Sequence, residues 1–145
     1  ARDDLAERFN PGLSISTFGG SPLASAASYA SISVIEEEGL LDNAAQVGTH
    51  LSQRLNELKE RFQVIGDVRG MGLMQAIELV KNRETKEPAP DVAVQLMEET
   101  KARSLLVGKG GLYGNVLRIG PPLNITTDQI DQGVDALIAS FEALE

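Results

Sequence analysis

The sequence predicts an α+β domain in which a small, mainly antiparallel sheet is covered by helices. Helical periodicities and β-rich runs follow one another in the order α, α, β, β, α, β, β, α. At two of the strand junctions the intervening chain is too short for the crossover a parallel pair requires. With 145 residues, 42% of them hydrophobic but only 4% aromatic and no Trp, the chain carries one core's worth of apolar side chains, built mainly from Ala, Leu, Ile and Val. There is no internal repeat and no low-complexity segment.

Residues 2–9 read as the end of a helix, stopped by the turn-forming Asn10-Pro11-Gly12. Residues 13–18 form a β-like run. Gly19-Gly20-Ser21-Pro22 then combines a turn with Ser at an N-cap and Pro at the first helical position. Leu23, Ala26, Ala27, Ala30 and Val34 recur at helical spacing as far as Glu36-Glu37-Glu38, and Gly39 suits the C-terminal cap. The Ala- and Ser-lined face of this helix predicts a close-packed neighbour. A second helix is expected from near Asp42, with Val47, Leu51, Leu55, Leu58 and Phe62 on one stripe.

Residues 64–69 and 73–80 are β-rich and flank Gly70-Met71-Gly72, which predicts two short strands around a glycine-mediated bend. A charged loop over 81–90 leads to a third helix from near Asp91, marked by Val92, Ala93, Leu96, Met97 and Thr100. Leu105-Leu106-Val107 is expected as a strand, followed by a glycine-rich stretch over 108–115. A short strand over 116–119 is closed by Gly120-Pro121-Pro122. Thr126 and Gln129 have capping-box spacing, and Ile130, Val134, Leu137, Ile138 and Phe141 give the last helix its apolar face.

Thirteen basic against twenty-one acidic residues leave a formal charge of −8, with the basic residues dispersed. Such a surface repels phosphate backbones and anionic lipid, so neither nucleic acid nor membrane is an expected partner. The absence of Cys excludes disulfides, thiolate catalysis and Cys-based metal sites. With one His, zinc chemistry and Ser-His triads lack material, and no metal site is expected. No apolar run has the length of a bilayer span, and residues 1–9 are charged where a signal peptide needs an apolar core, so the expected location is cytoplasmic.

Ser16-Thr17-Phe18-Gly19-Gly20-Ser21-Pro22 offers hydroxyls, a glycine pair and a helix start, which suits a phosphate but equally suits simple capping. Asp67 and Arg69 are expected to pair along a strand. Arg118 stands among Val116, Leu117 and Ile119; its guanidinium requires an anion, either a protein carboxylate or a substrate carboxylate held bidentately, and both readings stand. Gly108-Lys109-Gly110-Gly111 lacks the Ser or Thr of a phosphate loop and reads as a flexible turn. His50 lies off the apolar stripe of its helix and is expected to be solvated.

Four stretches taken together carry a resemblance. Ser16-Thr17-Phe18-Gly19-Gly20-Ser21-Pro22-Leu23-Ala24, Val34-Ile35-Glu36-Glu37-Glu38-Gly39-Leu40-Leu41, Asp67-Val68-Arg69-Gly70-Met71-Gly72-Leu73-Met74 and Val116-Leu117-Arg118-Ile119-Gly120-Pro121-Pro122-Leu123 resemble, in order and spacing, the closing portion of class III (ω-) pyridoxal-phosphate-dependent aminotransferases. The similarity spans nearly the whole chain and is nearest to the alanine–glyoxylate aminotransferase 2-like and 4-aminobutyrate aminotransferase-like branch. It implies a fold type I subunit acting as a homodimer, with residues 1–38 ending the large cofactor domain and 39–145 forming the C-terminal part of the small one. It further implies that Ser16 and Thr17 bind the pyridoxal 5'-phosphate, that Arg118 binds the substrate carboxylate, and that the Schiff-base lysine and the Asp facing the pyridinium nitrogen lie upstream of Ala1. Lys59, Lys81, Lys86, Lys101 and Lys109 all stand outside the family context for that lysine.

The sequence departs from the family at Ser21, where members often have Asn, and at Ser14-Ile15-Ser16, where many carry His and Gly; the substrate branch is therefore open. The implied activity of the complete enzyme is transfer of an amino group from an amine or amino acid to a 2-oxo acid or glyoxylate, and this chain alone is expected to be inactive. The alternatives are an aminomutase or racemase on the same scaffold, or a stand-alone, non-catalytic α+β binding module.

Overall fold

The computed structural model describes residues 2–8 and 16–145, which divide into two compact units, Ala1–Glu38 and Gly39–Glu145. The first unit contains the short helix α1 (Asp3–Ala6) and the helix α2 (Pro22–Glu37). Ser21 starts α2 as its residue type dictates: the hydroxyl accepts the Ala24 N–H at 3.2 Å, and Pro22, having no N–H to lose, occupies the first turn. The helix closes where the Glu38 N–H reaches the Val34 carbonyl at 3.0 Å and Gly39 takes the left-handed conformation, φ 62°. No residue of α2 is buried, and Leu23, Tyr29 and Ile32 are exposed.

The expected helix stop at Asn10-Pro11-Gly12 and the first half of the β-like run lie outside the described residues. The second half of that run, residues 16–18, is a bend and not a strand: the Ser16 hydroxyl accepts the Gly19 N–H at 2.9 Å, a local turn that competes with extended backbone.

The second unit runs α3 (Leu40–Arg61), β1 (Ile65–Met71), β2 (Met74–Leu79), α4 (Pro90–Ala102), β3 (Gly108–Gly110), β4 (Val116–Ile119) and α5 (Thr127–Glu142). The four strands form one antiparallel sheet in the order β1-β2-β4-β3, which realises the predicted α+β architecture. In the β1–β2 hairpin, Met71 faces Met74 across a turn at Gly72-Leu73, one residue later than the glycine bend expected. The α3 stripe is as predicted, with Val47, Leu51, Leu55, Leu58 and Phe62 all buried.

Alternation along β2 and β4 sends Ile77, Leu79 and Leu117 into this core, where they meet Leu51, Leu55, Leu96 and Val134 of the helices. Each such Leu or Ile contributes about 1.5–3 kcal/mol of apolar burial. The Phe62 and Phe141 rings stack with centroids 4.9 Å apart and tie the end of α3 to the end of α5. Thr126 and Gln129 form the expected capping box at the start of α5, each side chain bonding the other's backbone N–H. No helix among the described residues is long and apolar enough to cross a membrane.

The strand expected at Leu105-Leu106-Val107 is irregular, and the glycine stretch read as a flexible turn supplies β3 instead. The reason is non-local. Ser104, at φ 62°, closes α4 tightly with the Leu105 N–H on the Thr100 carbonyl at 2.9 Å, so residues 105–107 are consumed in the return path. The residues that arrive opposite Arg118, Leu117 and Val116 are Gly108, Lys109 and Gly110.

Candidate functional site

The face of the sheet turned away from the core carries the charged chemistry. Across the four strands the register aligns Arg69, Ala76, Arg118 and Gly108 in one row, and Asp67, Glu78, Val116 and Gly110 in the next. Arg69 is paired: one guanidinium nitrogen lies 2.9 Å from Asp67 Oδ2 and 2.5 Å from Glu78 Oε2. These contacts, Asp67 first, raise the Arg69 guanidinium above its ordinary pKa. The expected Asp67–Arg69 pairing is therefore present, and Glu78 joins it. Glu78 escaped the sequence reading because its proximity to Arg69 depends on strand register, which residue spacing within one strand does not reveal.

Arg118 is different. It is exposed, and no hydrogen bond or ion pair joins its guanidinium to another described residue. Its neighbours in the row are the small Ala76 and Gly108. A Cβ at Gly108 would stand 3.6 Å from Arg118 Nε, so the side chain of Arg118 lies across the glycine. Of the two partners the sequence left open, a protein carboxylate is absent among the described residues. An unpaired planar fork on a rigid strand can take a carboxylate bidentately.

Ser16 and Thr17 belong to the first unit. Both are exposed; the Ser16 hydroxyl oxygen is used by Gly19 N–H but its own proton is free to donate, and the Thr17 hydroxyl has no partner among the described residues. Gly20, at φ 76°, has nothing within 4 Å of where a Cβ would be. Free hydroxyls, a left-handed glycine and the start of a sixteen-residue helix fit a phosphate.

His50, expected to be solvated, is partly exposed and also has a partner. Its Nε2 lies 2.9 Å from Asp131 Oδ1 with the side chain 31% exposed, so it joins α3 to α5 and takes no part in the sheet face. Arg54, one turn on, reaches Asp135 at 3.1 Å across the same seam. Three of the lysines are held by carboxylates: Lys59 by Asp67 at 3.8 Å, Lys101 by Glu98 at 3.3 Å, and Lys81 by Glu87 at 2.6 Å, a contact that raises the Lys81 pKa. A pocket of about 140 Å³ lies on the core side, lined by Leu105, Ile119, Pro121, Ile125, Ile130 and Val134 among others; it lacks the convergent polar groups of a metabolite site.

Residues 1–141 match the aminotransferase class-III family. Alanine–glyoxylate aminotransferase 2 homolog 2, mitochondrial, of Arabidopsis thaliana is 47% identical over 128 residues, 88% of this chain and 27% of that protein. Leucine/methionine racemase of Thermococcus litoralis is 46% identical over 126 residues, 87% of this chain and 28% of that protein. Among solved structures, the PLP-bound form of an amine transaminase from an uncultivated Pseudomonas species superposes with a TM-score of 0.83 at 35% identity, covering 93% of this chain and 30% of that one. The chain thus spans between a quarter and a third of the length of these proteins. The fold, the ordered motifs and the family match over nearly the whole chain agree: the chain belongs to the class III aminotransferase family.

Proposed function

We propose that this chain is the C-terminal part of a pyridoxal-phosphate-dependent aminotransferase that moves an amino group from an amine or amino acid to a 2-oxo acid or glyoxylate. The observation that carries the reading is the exposed, unpaired Arg118 guanidinium, held on a strand of a class III aminotransferase chain beside the small Gly108. Pyridoxal 5'-phosphate, when bound, supplies a ring that takes up the electron pair released as the substrate α-proton leaves. Thr17 and Ser16 would donate hydrogen bonds from their hydroxyls to its phosphate, and the positive end of the α2 helix would add to that anchoring. Arg118 binds both oxygens of the substrate carboxylate and so orients the α-carbon.

Ala1–Glu38 is then the end of the large cofactor domain and Gly39–Glu145 the C-terminal contribution to the small domain. The Schiff-base lysine belongs to the part of the enzyme outside this chain; the ion pairs that engage Lys59, Lys81 and Lys101 support that assignment. The same reading takes the complete enzyme as a cytoplasmic homodimer whose only substrates are small molecules.

The test is Arg118→Lys in the full-length enzyme. The charge survives and the fork does not, so KM for carboxylated donors and acceptors should rise by about tenfold or more, the loss of one charge-assisted hydrogen bond. The single-turnover half-reaction with an uncarboxylated amine should change far less. Equal losses for both donors would remove the assignment.

A second reading, racemisation on the same scaffold, is favoured by the near-equal identity to the Thermococcus racemase. It is separated by incubating the full-length enzyme with a single amino-acid enantiomer and no oxo acid. Appearance of the mirror enantiomer on chiral chromatography supports the racemase; retention of configuration, with product formed only when an oxo acid is added, supports the aminotransferase.

A further inference from the structure

Arg118 shares the open sheet face with two strand carboxylates, Asp67 and Glu78. Glu78 is the nearer threat to its availability. Ala76 is the cross-strand partner of both Arg69 and Arg118, and Glu78 lies two residues further along the same face, so it is a diagonal neighbour of each arginine. Diagonal positions are within reach of long side chains. A carboxylate tethered beside Arg118 would act as an intramolecular counter-ion, competing with any free substrate carboxylate at high effective concentration. In the structure this does not happen, because Arg69 holds Glu78 at 2.5 Å and Asp67 at 2.9 Å, while Arg118 extends the other way across Gly108.

The two carboxylates are not equivalent. Asp67 has a second cation, Lys59, at 3.8 Å; among the described residues Glu78 has Arg69 alone. Loss of the Arg69 guanidinium therefore frees Glu78 above all; Arg83, which lines a pocket with Glu78, is held by the Lys59, Phe62 and Ile65 carbonyls, whereas the diagonal neighbour Arg118 is unpaired.

We propose that Arg69 is a positioning residue that sequesters Glu78, and with it Asp67, so that the Arg118 fork stays open for the substrate carboxylate. The proposal rests on the reading of Arg118 as the carboxylate-binding group. It assigns to the Asp67-Val68-Arg69 stretch a part in substrate affinity exerted through another residue, and it explains why a half-exposed three-membered ion cluster sits beside a bare arginine.

The experiment uses the full-length enzyme with carboxylated donors and an uncarboxylated amine, each followed in the single-turnover half-reaction. Arg69→Met should raise the half-saturating concentration of carboxylated donors about three- to fivefold, the worth of an exposed ion pair, and leave that of the amine unchanged. Arg69→Met/Glu78→Gln should return the carboxylated donors to the wild-type value. Arg69→Lys keeps the charge but not the fork that spans two carboxylates, and should fall between; it also serves if Arg69→Met does not fold.

A merely structural Arg69 would affect both donors alike and would not be rescued by Glu78→Gln. Either result, or unchanged values for both donors, overturns the proposal. Arg118→Lys in parallel separates the two levels. If it distinguishes the donors while the Arg69 variants do not, only the sequestering role falls; if it fails to distinguish them, the reading of Arg118 falls and takes this proposal with it.

Discussion

Gly48→Ala tests how the sheet is held in place. Gly48 is buried in the middle of α3, and a Cβ there would overlap the Cα, C and O of Gly72 in the β1–β2 turn. The obstacle is backbone, so it cannot rotate aside. Gly72 is itself at φ 53°, and its carbonyl accepts the Gln75 amide at 2.8 Å from a side chain that is 3% exposed. Restoring van der Waals separation moves the turn by about an ångström, which costs about 1–3 kcal/mol as overpacking. Moving the Gly72 carbonyl also strands the buried Gln75 donor, at about 1–3 kcal/mol. Against this, replacing Gly by Ala in a helix interior gains about 1 kcal/mol. The net expectation is a loss of about 1–5 kcal/mol. Denaturant unfolding of the full-length protein, followed by circular dichroism, should show a clear fall in midpoint, and amide exchange should quicken at Met71 and Met74. A midpoint unchanged or raised, as helix propensity alone would give, refutes the close-approach argument.

Thr17→Ala in the full-length enzyme should weaken cofactor retention about ten- to a hundredfold, the worth of one charge-assisted hydrogen bond, measured by the cofactor's absorbance on dialysis; unchanged affinity removes Thr17 from the phosphate site. Arg83→Ala should destabilise the protein by about 1.5–3 kcal/mol, because its guanidinium bonds the Lys59, Phe62 and Ile65 carbonyls and so caps the end of α3; a denaturation midpoint equal to wild type would show the cap to be dispensable. Residues 1–145 alone, given pyridoxal phosphate and an amino donor, should show no turnover above the free cofactor, and turnover abolished by mutating one of the chain's own lysines would contradict this.

The elements legible in the sequence are those whose causes lie within a few residues. Ser21 followed by Pro22 starts α2, and Thr126 with Gln129 starts α5, because a cap is satisfied by backbone N–H groups two or three positions away. The α3 stripe and the strand β4 were equally readable, since apolar periodicity records which side of an element meets the core. The glycine motifs and Arg118 also stood out locally, as residue types that need a special backbone or an anion.

What only the tertiary structure decided depends on residues far apart in sequence. Whether residues 105–107 or 108–110 form β3 was settled by what β4 could pair with, not by β propensity, which prefers Leu and Val to Gly. His50 turned from a surface residue into a link between helices because Asp131, 81 positions away, lies across the α3–α5 seam. Arg83 found its carbonyls 18 to 24 residues back. The same holds for the sheet face: each strand shows by itself which residues alternate together, but it is the register between strands that puts Glu78 within reach of both Arg69 and Arg118, and the side-chain packing that gives it to Arg69. Side-chain type fixes what an arginine needs, and it is the pairing of distant strands that determines whether the protein itself has already met that need.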